Sequence, residues 1–147
     1  MRTPAIILAL LVLPWLAALL LWPSDAARAE LFGLAGLVLA FAFFSLGHFA
    51  MTGQMVEMLP RWVPLRRPIV LATGVMEAGI ALALMLPASR VAAGWASIAV
   101  LIGFFPVNVY ASLTRRGGGG HEWGPVYLLL RLPLQLLLVA WCILFAL

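Results

Sequence analysis

Two charged residues interrupt long apolar runs in this chain: Glu77 and Arg131. A charge near the centre of a membrane-spanning helix costs ~2.5–3.5 kcal/mol on insertion scales, so each needs a reason to be there. At helical rise Glu77 lies about 13 Å from the start of its run, and Arg131 about 9 Å down the run it enters from the same side. The simplest arrangement that settles both charges is a direct Glu77–Arg131 ion pair. Gln135 follows Arg131 by one helical turn. At about 100° per residue, Tyr127, Arg131, Gln135 and Cys142 fall within about 80° of one another, a single polar stripe. Ahead of it, His121-Glu122-Trp123-Gly124 forms a polar mouth. Pro125 then starts the helix, where its missing N–H costs nothing.

Other polar residues point to the same end. Ser45, His48 and Thr52 share one face of a helix, as do Ser97 and Asn108 of another. Pro106 deprives the Ile102 carbonyl of its helical partner and Pro133 does the same to Leu129, so kinks near the stripe would open space. The expected site therefore uses His48, Glu77, Arg131 and His121 for acid–base or charge chemistry. Asn108, Tyr127, Gln135, Glu122 and Trp123 would contact a bound molecule. His48 and His121 with a carboxylate would also suit a metal, but no metal-ligand spacing such as H-x3-H supports that alternative. The four glycines at 117–120 precede no G-K-[ST] and follow no strand, which favours a flexible linker over a phosphate cradle.

The elements that must hold these residues follow from composition. The chain has 147 residues, 65% hydrophobic and 10% charged, with a mean hydropathy of +1.13. That much apolar surface implies an integral membrane protein. All nine basic residues are arginine and the net charge is +4. No basic run is interleaved with aromatics, so nucleic acid is not an expected partner. Cys142 is the only cysteine, which leaves no internal disulfide or thiol relay and reads best as a small packed residue.

In chain order, the apolar runs are Ala5 to Trp22, Leu31 to about Met51, Pro68 to Leu86, Val91 to about Leu113, and the helix after Pro125. Each is long enough to cross a hydrocarbon core of about 30 Å. Residues 1–30 compete between two readings. Ala27-Arg28-Ala29 resembles a signal cleavage site, but the apolar stretch exceeds the usual h-region, which favours a retained helix bent at Pro14. The pattern Met55-Val56-Met58-Leu59-Trp62-Val63 is amphipathic and suits the headgroup region. Tryptophans 15, 22, 62, 95, 123 and 141 lie mostly near run ends, as an aromatic belt would. Small residues at Gly33, Gly36 and Ala40, and at Gly74, Ala78 and Ala81, permit close helix contacts within or between protomers. Arg2, Arg61, Arg66, Arg67, Arg115 and Arg116 fall on one face, and Arg28 and Arg90 on the other. The positive-inside rule then puts the N-terminus in the cytoplasm and the C-terminus outside a bacterial-type inner membrane.

Gly47-His48-Phe49, Met58-Leu59-Pro60, Val63-Pro64, Thr73-Gly74-Val75-Met76-Glu77, Phe105-Pro106-Val107-Asn108-Val109-Tyr110 and Leu130-Arg131-Leu132-Pro133-Leu134-Gln135 occur in that order. Together they resemble the DoxX-like small integral membrane proteins over residues 31–147. The resemblance implies an all-α fold: a polytopic transmembrane bundle with a four-helix DoxX-like core, to which residues 1–30 add one N-terminal helix. The family's name comes from a small subunit associated with thiosulfate:quinone oxidoreduction. It therefore implies a redox-associated subunit that binds a quinone-like or lipid-like ligand on the cytoplasmic side and docks to a redox partner protein or to a second copy. The carried-over positions are His48, Glu77, Asn108, Arg131 and Gln135. The cysteine pairs of the redox-associated branches are absent, so thiol chemistry does not follow. Two alternatives stand beside this reading: a small membrane enzyme with His48 or His121 as general base or metal ligand, and a proton-coupled transporter with Glu77 as carrier.

Overall fold

The computed structural model describes residues 2–147; Met1 and the side chain of Arg2, which entered the topology argument, lie outside the described residues. The described chain is all-helical. Helix α1 spans Arg2–Leu21, α2 Ala26–Ala50, α3 Thr52–Met58, α4 Arg66–Met85 and α5 Arg90–Thr114; a 3-10 segment, His121–Tyr127, leads into α6, Leu128–Phe145. Five helices are long and apolar enough to cross a membrane: all but the short α3, with the last span counted from His121.

The helices begin and end where local chemistry dictates. Asp25 caps α2 by accepting from the Arg28 N–H at 3.0 Å, one of the donors that a helix start leaves free. This capping starts α2 more than a turn before Leu31, the first residue of the apolar run. The chain leaves α5 through Arg115 at φ 52°, and the Arg116 N–H returns to the Ala111 carbonyl at 2.9 Å. Residues 121–124 then turn about Gly124, whose φ of 72° and ψ of −150° lie in a region open essentially only to glycine. Because of that turn α6 starts at Leu128, not at Pro125.

The core runs through the bundle, with Leu11, Leu37, Phe41, Leu84 and Leu138 almost wholly buried. Helix α1 belongs to it: Gly36 of α2 has no Cβ, and one built there would collide with the Leu11 carbonyl oxygen. Gly33 lies flat against the Phe145 ring, and Gly74 of α4 admits His48 Cβ, which a Cβ at position 74 would meet at 2.7 Å. The small residues thus serve contacts between helices of one chain. Trp141 departs from the expected interfacial belt. It is buried, donates to the Gly33 carbonyl at 3.0 Å and packs edge-on against Trp15.

Two connections differ from expectation. The amphipathic pattern after Met51 forms a helix only to Met58, and Trp62 is left exposed. The glycine loop is no free linker. Gly117 lies against Met58 and Gly118 against Gln54, so closely that a Cβ at either would overlap the side chain. Glycine also admits the positive φ of 77° at Gly117 and 118° at Gly120. The loop is therefore docked on α3.

Candidate functional site

Between α2, α3, α4, α5 and α6 lies a cavity of about 350 Å³. Its walls are mostly apolar: Phe44 from α2, Met55 and Met58 from α3, Ile69 and Val70 from α4, and Val100, Leu101, Phe104 and Val107 from α5. Its polar lining is His48, Thr73, Glu77, Asn108, Arg131 and Gln135. This is the composition of a small-molecule pocket: apolar walls with a few placed polar groups.

The His48–Glu77 contact is its shortest charged one. Nε2 of His48 lies 3.2 Å from Oε2 of Glu77. Nδ1 of the same ring lies 3.1 Å from the Thr73 hydroxyl, and that hydroxyl donates to the Val70 carbonyl at 2.8 Å. The Thr73 hydroxyl thus stands between the Val70 carbonyl and the His48 ring, and holds that ring against Glu77.

The expected Glu77–Arg131 ion pair is not formed. Arg28 with Asp25, and His48 with Glu77, are the charged contacts within 4.0 Å among the described residues. The reason is packing: Gly74 brings α2 against α4, so His48 reaches Glu77 first. Arg131 lines the same cavity, and its Nε has no hydrogen-bond partner. Gln135 donates to the Leu101 carbonyl at 2.6 Å, but its Oε1 has no partner. Oε2 of Glu77, off the N–H axis of His48, also lacks a hydrogen bond. Three residues that line one cavity therefore each hold a buried polar atom without a partner, where such atoms are almost always satisfied.

The other sequence-derived residues take different places. Asn108 lines the cavity, donates to the Phe104 carbonyl at 2.9 Å and turns Oδ1 to His121 Nε2 at 3.2 Å. His121 is buried outside the cavity, with Nδ1 2.7 Å from the Gly118 carbonyl and its ring edge-on to Tyr127. It ties the glycine loop to α5 and does not reach the cavity. Glu122 is turned back to the Gly120 N–H at 3.1 Å, and Trp123 is exposed. Of the polar stripe, Arg131 and Gln135 line the cavity while Tyr127 and Cys142 do not. Ser45 and Ser97 are buried away from it, and Pro106 and Pro133 sit on the outer surface. His48 and His121 have separate partners, and no three His, Cys, Asp or Glu are grouped to hold a metal among the described residues.

Thr73 was missing from the expected site, though it lies one turn before Glu77 on the same helical face. Met55 and Met58, whose pattern suits a headgroup-region helix, line the cavity instead.

No curated protein and no solved structure matches the chain. One family model does, over residues 35–146, a span that contains every residue lining the cavity and leaves α1 outside. The chain belongs to that family, which is described as a domain of unknown function (DUF8561).

Proposed function

We propose that this protein is a small multi-pass membrane subunit that holds an amphipathic small molecule, quinone-like or lipid-like, in the α2–α6 cavity. The polar head would sit among Glu77, Arg131 and Gln135, and the apolar body along the walls set by Phe44, Met55 and Phe104. The observation that carries this reading is that Glu77, Arg131 and Gln135 line one cavity and each leaves a side-chain atom without a hydrogen-bond partner. A bound head with both donors and acceptors, met by a small turn of these side chains, would relieve a cost of about 1–3 kcal/mol for each neutral group and more for a charged one. In keeping with the DoxX-like resemblance, the subunit would have a four-helix core and serve a redox partner. Its arginine-rich face would be cytoplasmic.

The test is chemical analysis of the organic extract from purified protein. A single amphipathic species in stoichiometric amount, lost from an Arg131→Gln, Gln135→Leu double variant that still folds, supports the proposal. An extract holding only bulk lipid, identical for both proteins, sinks it.

The Thr73–His48–Glu77 chain favours a second reading, in which the protein is a membrane acid–base enzyme. His48, 3.2 Å from Glu77 and 3.1 Å from the Thr73 hydroxyl, would exchange a proton with a bound head while Thr73 orients the ring. Wild-type protein would then chemically alter the extracted molecule and His48→Ala would not.

A further inference from the structure

We infer that the cavity opens sideways into the bilayer between α4 and α5, and that Gly103 keeps the opening wide enough for the chain of a membrane lipid. The inference rests on the proposed ligand site. It narrows the occupant to a long-chain lipid whose head lies inside and whose chain runs out between the two helices.

Of the residues that line the cavity, Ile69 on α4 and Gly103 on α5 are exposed, and the others are buried or half-buried. Helix α4 packs between α2 and α5, and α5 between α4 and α6. Ile69 comes five residues before Gly74, which meets His48 of α2. It therefore lies about 140° round the helix, away from α2. Gly103 comes nine residues after Gly94, which meets Ala146 at the end of α6. It lies about 180° round its helix, away from α6. The two exposed residues thus flank the gap between α4 and α5. Both helices are long and apolar enough to cross a membrane, so this gap faces hydrocarbon. Glu77 lies 11 residues from the start of α4 at Arg66, and Gly103 lies 11 residues from the end of α5 at Thr114. Each is about 16 Å along its helix from the same end of the bundle. A molecule in the bilayer meets the opening at the depth of the carboxyl group it would bind.

The approach from the end of the bundle is covered. Met55 and Met58 of α3 line the cavity there, and the glycine loop rests on Gln54 and Met58. Gly103 also differs from Gly33, Gly36 and Gly74, because a Cβ built on it would have nothing within 4 Å. No close approach of helices requires it, and glycine inside a helix is otherwise unfavourable. Its effect is to leave one lip of the gap bare. The cavity volume of about 350 Å³ is at the low end of small-molecule pockets, about 300–1,000 Å³. A long chain exceeds that space and leaves by the gap.

The experiment uses purified full-length protein in an uncharged detergent, with tritiated oleoylglycerol and tritiated octanoylglycerol as probes. They share a glycerol head, which carries donors and acceptors, and differ in chain length. Gly103→Leu should weaken oleoylglycerol at least about tenfold and octanoylglycerol less than about twofold, because a head held off by a blocked chain loses its charge-assisted hydrogen bonds. Gly79→Leu is the control: its position is equally open and does not line the cavity, so neither probe should change. Ile69→Trp narrows the opposite lip and should act in the same direction as Gly103→Leu, which decides the matter if the glycine variant fails to fold. Unchanged oleoylglycerol affinity in both lip variants, or an equal loss of the two probes, overturns the lateral opening while leaving the ligand site standing. Wild-type protein that binds octanoylglycerol but not oleoylglycerol overturns it too. If neither monoglyceride nor a short-chain quinone binds, the ligand site falls as well.

Discussion

His48 on α2 and Glu77 on α4 meet inside the bundle: Nε2 and Oε2 lie 3.2 Å apart, and the opposite ring nitrogen lies 3.1 Å from the Thr73 hydroxyl. The contact crosses the closest approach of the two helices, where Gly74 meets His48 Cβ. It joins the stability of the bundle to the chemistry of the cavity.

His48→Leu therefore strands a buried carboxyl, and stability should fall by about 1–3 kcal/mol in detergent unfolding. Adding Glu77→Leu should recover much of the loss, because two apolar groups leave nothing unsatisfied. Additive losses in this double-mutant cycle would mean that the two side chains are not coupled.

Gln135→Leu should separate folding from binding. Gln135 makes one hydrogen bond to the Leu101 carbonyl and leaves Oε1 unpaired, so an apolar replacement should shift stability by less than about 1 kcal/mol. Retention of the co-purifying molecule should drop in the same variant. Full retention would remove Gln135 from the ligand's contacts.

Gly36→Val should loosen α1 from α2, since the new Cβ would strike the Leu11 carbonyl oxygen. The expected loss is about 1–3 kcal/mol, the usual cost of overpacking. Gly79→Ala is the control, with nothing within 4 Å of the added carbon. Both are measured by thermal unfolding in the same detergent.

At Gly124, φ of 72° with ψ of −150° excludes a side chain at a cost of about 1–3 kcal/mol. Gly124→Ala should destabilise the protein by that amount, whereas Gly53→Ala, on a helix with open space around it, should not. Comparable melting temperatures for the two variants would contradict the turn.

The helices were legible because length and apolarity alone decide whether a segment can span a bilayer. That Glu77 and Arg131 face inward was also legible, from the cost of leaving either in lipid. Their partners were not. Which side chain meets Glu77 depends on how closely α2 and α4 approach, and a single glycine among several, Gly74, sets that distance. His121 was misread for a related reason. Its position at a run end suggested an open mouth, but the docking of the glycine loop on α3 folds it inward onto Asn108 and Gly118. The hydrophobic pattern carries the spans; the register between them is written in small residues whose effect appears only on packing.

The mass spectrum of the intact protein released from lipid nanodiscs tests the central claim most directly. A ligand site in the α2–α6 cavity requires one small non-covalent adduct on the wild type, and its loss when Arg131 and Gln135 are replaced together. Bare wild-type protein, or an adduct that survives the double replacement unchanged, would contradict it.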